Sequence, residues 1–419
     1  MPLSGPIFDP QYWPFGLEYL PASAHLVGGS VRDALLGREA DHLDLDFVLA
    51  DGAVETAQAI AKHYHAGFVV LDEKRHIARV VFEGATADFA QQVGSSLEED
   101  LCRRDFTVNA IAYNPRTRQL VDPLHGHADL KQRCLRMIEV ANLKDDPLRL
   151  LRAYRQAAQL GFEIDTETQT KIRQLAPSLK RIASERVNAE LSYLLACRRG
   201  HPLLKQAWAD GLLREWLPDI NFTGLEWAQG IDQAVSTLTG YCPAFKEVAS
   251  GWVGEHHPSM GTGRSWIKVA KLACLVPSEL EDAESQLWHL KCSRSEVQAV
   301  LTVLRWMNDG VLPTQSRAQF FFFRDVGVAF PAVALMAIAL GHPLEAIAPL
   351  IDYSLERTNP IAHPQPILTG HDLTKTLQLK PGPIIGQLLE QLCIAHAEGQ
   401  ISNRDEALAY MQRLMESAE

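Results

Sequence analysis

The chain has 419 residues, 47% of them hydrophobic and 22% charged, with a net charge of −11. This is an ordinary globular composition, able to bury a sizeable core and long enough for about two to four domains. The acidic balance does not advertise nucleic-acid binding, although such binding depends on local patches rather than on the total. None of the seven Cys residues pairs at a CxxC spacing, so neither a zinc site nor a disulfide framework is implied. The pattern reads as reduced thiols in a cytoplasmic protein. The N-terminus, MPLSGPIFDPQYWPFG, lacks the basic start and apolar run of a signal peptide. The longest apolar stretch, Val326 to Gly341, is broken by Pro331 and falls short of the roughly 20 residues a membrane span needs. A buried helix is expected there, and no membrane partner.

In chain order, AHLVGG reads as a strand running into a turn, and SVRDALLG as a helix ended by Gly37. LDLDFVLA is a strand and AVETAQAIAKHYH an amphipathic helix. GFVVLD, IARVVFEG and TADFAQ are further strands. From about Asp146 onward strand signals nearly vanish and helical patterns run to the C-terminus. The expected fold class is therefore α+β, a small head with a mixed sheet followed by an all-α remainder. Seams are expected near Asn142, near Pro218 to Gly224, and in the Pro-rich stretch from 359 to 370.

Residues 42 to 49 carry the first chemical signal. Leu43, Leu45, Phe47 and Leu49 alternate with His42, Asp44, Asp46 and Val48, so a strand would present one apolar face and one face with two carboxylates. Neighbouring like charges repel and call for a cation between them. A hard divalent ion such as Mg2+ suits carboxylate oxygens and leaves room for phosphates. The alternative is an exposed acidic face. Just before, VGGSVRD joins a strand end to a helix start through Gly28 and Gly29. Glycines admit a close backbone approach to phosphate, a helix N-terminus adds positive potential, and Arg32 lies one turn in. Asp88, in TADFAQ, would complete the carboxylate set or else face solvent. Arg104, Asp105 and Asn109 put a cation, a carboxylate and an amide within two turns, suited to a triphosphate and a ribose or else to a charged helix face. Asp122 and Asp129, in DPLHGHADL, brace a turn and the helix after it.

In DDPLRLLRAYRQAAQLGF, Pro147 suits the first helical position and Asp146 the cap. Arg149, Arg152 and Arg155 then share a helical face, either as a functional row or as a solvated basic stripe. The functional reading has chemical content. An Arg donates and an Asp accepts, so Arg149 with Asp146 matches the Watson–Crick edge of cytosine or adenine. Uracil and guanine present an N–H where the Arg needs an acceptor. Leaving such groups unpaired costs roughly 1–3 kcal/mol each. A protein surface could thus select C or A without a template.

The order GGSVRD, DLD, RRDFTVNA, DPLHGHADL, DDPLRLLRAYR and ERVNAEL (185–191) resembles the class II tRNA nucleotidyltransferases and bacterial poly(A) polymerases. These belong to the polymerase β-like nucleotidyltransferase superfamily. LTGHDL (368–373) and LKPGPIIG (379–386) look like that family's C-terminal signature. The resemblance implies a catalytic head over 1–141, a base-recognising neck over 142–217, a helical body over 218–360 and a tRNA-binding tail over 361–419. It implies Asp44 and Asp46 as ligands of Mg2+, and Gly29, Arg32 and Arg104 as triphosphate contacts. Asp105 and Asn109 would lie near the sugar, and Asp146 and Arg149 would read the base. Arg152 and Arg155 would make further nucleotide contacts. Asp145 stands where the family usually has Glu, a shorter side chain beside the readers. The implied reaction is attack of an RNA 3′-hydroxyl on the α-phosphate of CTP or ATP, releasing pyrophosphate.

One departure bears on which nucleotide is added. Only QQVGSS lies between DFA (88–90) and LEED (97–100), where full CCA-adding enzymes of this class carry a longer flexible loop. Enzymes that add only two cytidines lack that loop. A pocket of fixed geometry should keep selecting C and stall before A, so CC addition to tRNA lacking its 3′ CCA end is favoured, with a separate A-adding enzyme acting next. The alternatives are full CCA addition from CTP and ATP, A addition, poly(A) synthesis, and an RNA-binding protein without catalysis. GTGRS (261–265) follows no convincing strand, and His256 and His257 lack metal-ligand company. QFFFFR (319–324) reads as helix core, while CRRG (197–200) and SLKR (178–181) are candidate RNA-contacting patches.

Overall fold

The computed structural model describes residues 5–38, 42–197, 200–251, 265–377 and 382–416. Outside them lie Arg198 and Arg199 of CRRG, His256 and His257, Gly261 to Arg264 of GTGRS, and Leu379 to Pro381 of LKPGPIIG. The chain divides into two units, Met1–Ala183 with Gln206–Leu212, and Ser184–Lys205 with Leu213–Glu419.

The first unit carries the sheet. Its elements run β1 (His25–Val27), α1 (Gly29–Leu35), β2 (Leu43–Leu49), α2 (Ala53–Tyr64), β3 (Gly67–Asp72), β4 (Ile77–Phe82), β5 (Ala85–Gln91) and α3 (Leu97–Cys102). They continue with β6 (Ala112–Asn114), β7 (Gln119–Val121), α4 (Gly126–Gln132), β8 (Cys134–Leu135), α5 (Val140–Asp145), α6 (Leu148–Leu160), β9 (Glu163–Ile164) and α7 (Thr166–Leu175). Seven strands form one sheet in the order β3-β4-β5-β2-β1-β6-β7, with β8 and β9 a separate pair. Within the large sheet β2 and β5 run parallel while the other pairs run antiparallel, so the sheet is mixed as expected.

The alternation in β2 behaves as its sequence requires. Leu45, Phe47 and Leu49 are buried, whereas Asp44 is exposed and Asp46 half-buried. Under the apolar face, Phe47 stacks on Phe89 at 5.3 Å, and Trp13 and Phe15 from the N-terminal segment close on Phe47 at 5.3 and 5.9 Å. On the acidic face, Val48 packs with Leu101 of α3 and with Ala110 and Ala112, which covers that end and leaves the carboxylate end open. α6 starts where Asp146 Oδ1 accepts the Leu148 N–H at 3.2 Å, and it stops at Gly161, whose φ of +70° favours glycine.

The segment 97–109 departs from the helical spacing expected for it. α3 ends at Cys102, and only Thr107–Asn109 resumes as a 3-10 turn. Backbone pairing with the strand-like stretch at 136–138 draws the chain out of the helix: Thr107 N–H donates to Arg136 O, Ile138 N–H donates to Asp105 O, and Phe106 bridges Met137. Arg104 and Asp105 therefore project from a bend after α3 rather than from one helix face.

The second unit is helical. Helices Phe222–Tyr241, Trp266–Leu275, Arg294–Asp309 and Phe330–Ala339 pack together. The last of these, in the long apolar stretch, is buried from Phe330 to Ala337, which accounts for its hydropathy as core. Phe320 and Phe323 of QFFFFR are core residues too. Helices Gly370–Leu377, Pro383–Ala397 and Arg404–Glu416 enclose a smaller cluster of Leu373, Leu388, Leu392, Ala407 and Met411.

Candidate active site

The parallel register of β2 and β5 sets Asp44 level with Thr86 and Asp46 level with Asp88. Thr86 Oγ1 donates to Asp44 Oδ1 at 2.5 Å. Asp88 is level in turn with Arg79 on β4, which clasps it with two bonds of 2.7 and 2.8 Å. Burial, then the Asp88 carboxylate, push Asp46 up to about 6; Arg104 works against the rise and Asp44 adds to it. Such a carboxyl is under-compensated, and an added cation would relieve it.

The glycine turn lies against this pair. Gly28, at φ +79°, opens α1, and a Cβ there would come within 3.4 Å of Arg104 Nη1 and 3.7 Å of Asp46 Oδ2. Backbone, carboxylate and guanidinium thus converge on one spot. Arg32 is held beside it, with Nε and Nη2 on Asp33 at 3.0 and 2.8 Å and Nη1 on Asn109 Oδ1 at 2.7 Å. Gly29 is close enough that its Cβ would meet Arg32 Nη2 at 3.5 Å.

From Asn109 a hydrogen-bonded network runs into α6. Asn109 Nδ2 donates to Asp105 Oδ1 and to Gln156 Oε1, each at 2.8 Å. Arg152 grips Asp105 Oδ2 through Nε and Nη2 at 3.0 and 2.9 Å, Gln156 Nε2 adds 3.2 Å, and Phe106 N–H donates to Oδ1. Burial pushes the Asp105 carboxyl up, but Arg152, Asn109 and the Phe106 N–H outweigh it and hold the group below the usual carboxylate range. Protein donors surround both oxygens, so Asp105 braces the 105–109 segment against α6.

The remaining candidate residues sit on α5, α6 and their junction. Arg149 Nη1 donates to Arg103 O at 2.8 Å and to Asn142 O at 3.2 Å, which fixes its guanidinium between α5 and the 103–106 stretch. Asn142 in turn donates to Cys102 O and Arg104 O. Asp145 is exposed at the end of α5, and Asp146 caps α6. Arg155 lies farther along α6 with Nη1 on Gln159. As expected, Asp122 accepts from Gly126 and His127, and Asp129 accepts from Thr107 and Arg136.

Sequence reasoning passed over Arg79, Asp100, Asn142 and Gln156. An Arg inside the apolar IARVVF strand was the available signal for the first. Gln156 stands four residues after Arg152 and so shares its face. Asp100 and Asn142 act on partners that only the tertiary fold brings near.

Hard oxygen donors at Asp44 and Asp46, with a potential that raises Asp46, fit a divalent cation better than a soft metal. Among the described residues no three His, Cys, Asp or Glu side chains converge to hold a metal alone. Two carboxylates with phosphate oxygens completing the shell suit an ion that arrives with a nucleotide.

Comparison with known families and structures finds similarity over nearly the whole chain. The poly A polymerase head domain matches residues 24–136, an RNA- and SrmB-binding site of polymerase A matches 161–223, and tRNA nucleotidyltransferase domain 2 matches 265–411. A CC-adding tRNA nucleotidyltransferase of Synechocystis is 48% identical over 97% of both chains. An A-adding tRNA nucleotidyltransferase of Deinococcus radiodurans is 31% identical over 96% of this chain and 97% of its own. A CCA-adding enzyme solved with CTP shares the fold, with a TM-score of 0.69 and 23% identity over 94% of this chain and 91% of that one. On the strength of relatives matched at 48% and 31% identity over nearly the whole chain, it belongs to the family of tRNA nucleotidyltransferases and poly(A) polymerases.

Proposed function

We propose that the chain is a template-independent nucleotidyltransferase that adds two cytidines to tRNA lacking its 3′ CCA end. The tRNA 3′-hydroxyl oxygen bonds to the α-phosphorus of CTP and gives up its proton to solvent, the bond from that phosphorus to the bridging β-phosphate oxygen breaks, and pyrophosphate leaves. The observation that carries this reading is the convergence of Asp46 and Arg104 on Gly28.

Each residue has a task that follows from its surroundings. Asp44 and Asp46 would hold Mg2+, which supplies Lewis-acid charge at the reacting phosphate. Gly28 and Gly29 let the backbone approach the triphosphate, and Arg32 and Arg104 neutralise it. Asp105 holds Asn109 and Arg152 for the sugar. Asp146 and Arg149 present an acceptor and a donor to the base, and Arg149 is fixed on two carbonyls so that it cannot readily adapt to a different base. Positioning and preorganised charge do most of the work in such transfers.

A stop after two cytidines is supported by the Gln92–Ser96 connection. Gln92 N–H donates to Leu49 O, Val93 N–H to Asp100 Oδ1 and Ser95 N–H to Glu99 Oε2, so the stretch is pinned rather than free to reshape a pocket. The strongly similar relative named for CC addition points the same way. The divisions 1–141, 142–217, 218–360 and 361–419 serve as head, neck, body and tail, the last gripping tRNA. A cytoplasmic setting agrees with seven cysteines that are all free thiols. A separate A-adding enzyme would complete the end.

The test is transfer from labelled CTP and ATP, with Mg2+, to a tRNA ending at its discriminator base, followed by sequencing of the 3′ ends. Two added cytidines are expected. Products ending in CCA would replace CC addition with full CCA addition, and an unextended tRNA would leave an RNA-binding protein.

A further inference from the structure

Asp100 lies in α3 with its side chain 11% exposed, and its two oxygens serve different parts of the head. Oδ1 accepts the Val93 N–H at 3.0 Å, in the short connection after β5. Oδ2 accepts from Arg104 Nη2 at 3.1 Å. Arg104 emerges just past the end of α3, and among the described residues its ion-pair partner is Asp100. Its Nε is buried with no hydrogen-bond partner among the described residues, while Nη1 faces the Gly28 turn. One carboxylate therefore fixes a long cationic side chain at the phosphate cradle and also fixes a loop.

The loop is stiff for its own reasons. Gly94 has φ +96°, and a Cβ there would fall 2.5 Å from Glu99 Oε2 and 3.0 Å from Glu99 Cβ. The backbone conformation favours glycine, and a side chain there would push Glu99 aside. The Glu99 carboxylate accepts Ser95 N–H at 2.6 Å, and Ser96 Oγ accepts Glu99 N–H at 3.2 Å. Displacing residues 92–96 would carry Val93 with them and pull at the carboxylate that orients Arg104.

We propose that Asp100 is a positioning residue that ties the place of Arg104 at the phosphate cradle to the 92–96 connection, so that the loop's rigidity is transmitted to nucleotide binding. This rests on the reading of Arg104 as a triphosphate contact. The proposal concerns how that contact is held, whichever nucleotide is added.

Four variants of the full chain separate the roles (Asp100→Asn, Asp100→Ala, Gly94→Ala and the last two combined), with CTP affinity measured by calorimetry and KM and kcat by transfer to tRNA. Asp100→Asn keeps an acceptor for Val93 N–H but removes the charge facing Arg104. CTP affinity should fall about tenfold, with KM rising to match and kcat holding within about threefold, the scale of one charge-assisted bond. A carboxylate that served the fold alone would lower the melting temperature and leave CTP affinity unchanged, and that result would overturn the proposal. Gly94→Ala disturbs the connection without touching Arg104 and should also weaken CTP binding. Combined with Asp100→Ala, it should add nothing further; losses that multiply independently would overturn the coupling. A wild-type chain that fails to bind CTP would instead remove the underlying reading of Arg104.

Discussion

Both units bury charge, and they do so differently. In the helical unit Lys268 and Glu296 meet at 2.5 Å with side chains 2% and 5% exposed, and Ser293 satisfies the second Glu296 oxygen. That cluster is closed by its own members. In the sheet-bearing unit the charges run as a chain from Asp33 through Arg32, Asn109 and Asp105 to Arg152, and Arg32, Arg104 and Arg152 keep 14%, 24% and 34% of their side chains exposed. Beside them stand an Arg104 Nε without a hydrogen-bond partner among the described residues and a carboxyl raised to about 6 at Asp46. A buried ion pair alone is thus a poor sign of function. What marks a site is charge arranged so that a ligand would complete it.

The sharpest way to break this contrast is at the acidic strand. Asp44→Ala and Asp46→Ala should each lower nucleotide transfer by about a thousandfold or more, the scale of losing a preorganised electrostatic group. Filter binding should show tRNA retained by both. If tRNA binding vanished along with transfer, the carboxylates would be holding the fold together, as Glu296 does.

On the other side of the comparison, Lys268→Met leaves Glu296 buried and uncompensated. Its cost should be about 3–5 kcal/mol of stability, read from denaturant unfolding. Replacing both partners with apolar residues of similar volume should recover much of that loss. A large penalty for the double replacement would mean that the pair contributes more than mutual charge compensation.

A smaller effect is expected where base selection is placed. Arg149→Ala removes a donor fixed on two carbonyls and should reduce kcat/KM for CTP by roughly 10- to 100-fold, from about 1–3 kcal/mol. Discrimination against UTP should fall with it. Unchanged discrimination would move base reading to another residue.

The mildest probe is acid. Asp105 and Glu296 both titrate lower in the fold than unfolded carboxyls do, because Arg152 and Lys268 outweigh burial. The stability they contribute is complete above the unfolded values near about 4. It disappears as the pH falls through their depressed folded values. Calorimetric melting between pH 7 and pH 3 should show this loss, and Glu296→Gln should remove the share that Glu296 contributes.

Much of the head was legible because its signals are local. The strict alternation of β2, the glycine pair opening α1 and the Asp146–Pro147 start of α6 each announce themselves within a few residues. The 103–109 stretch did not, because pairing with residues 136–138 overrides its helical spacing. Arg79 and Asp100 were passed over for a related reason: their partners depend on strand register and on the path of a loop. The helical unit was legible as helix but not in its packing, since the partner of a buried Lys268, a helix away at Glu296, leaves no trace in spacing.

Phe47 and Phe89 follow Asp46 and Asp88 directly on the two parallel strands, and their rings stack beneath the sheet. Backbone hydrogen bonds of the parallel pair set the spacing of the two acids, and the stacked rings back that level of the strands from the buried face. Trimming either ring to Ala would leave a cavity directly beneath the acidic strand, with a cost of about 3–5 kcal/mol to the head's stability while every polar group above kept its partners.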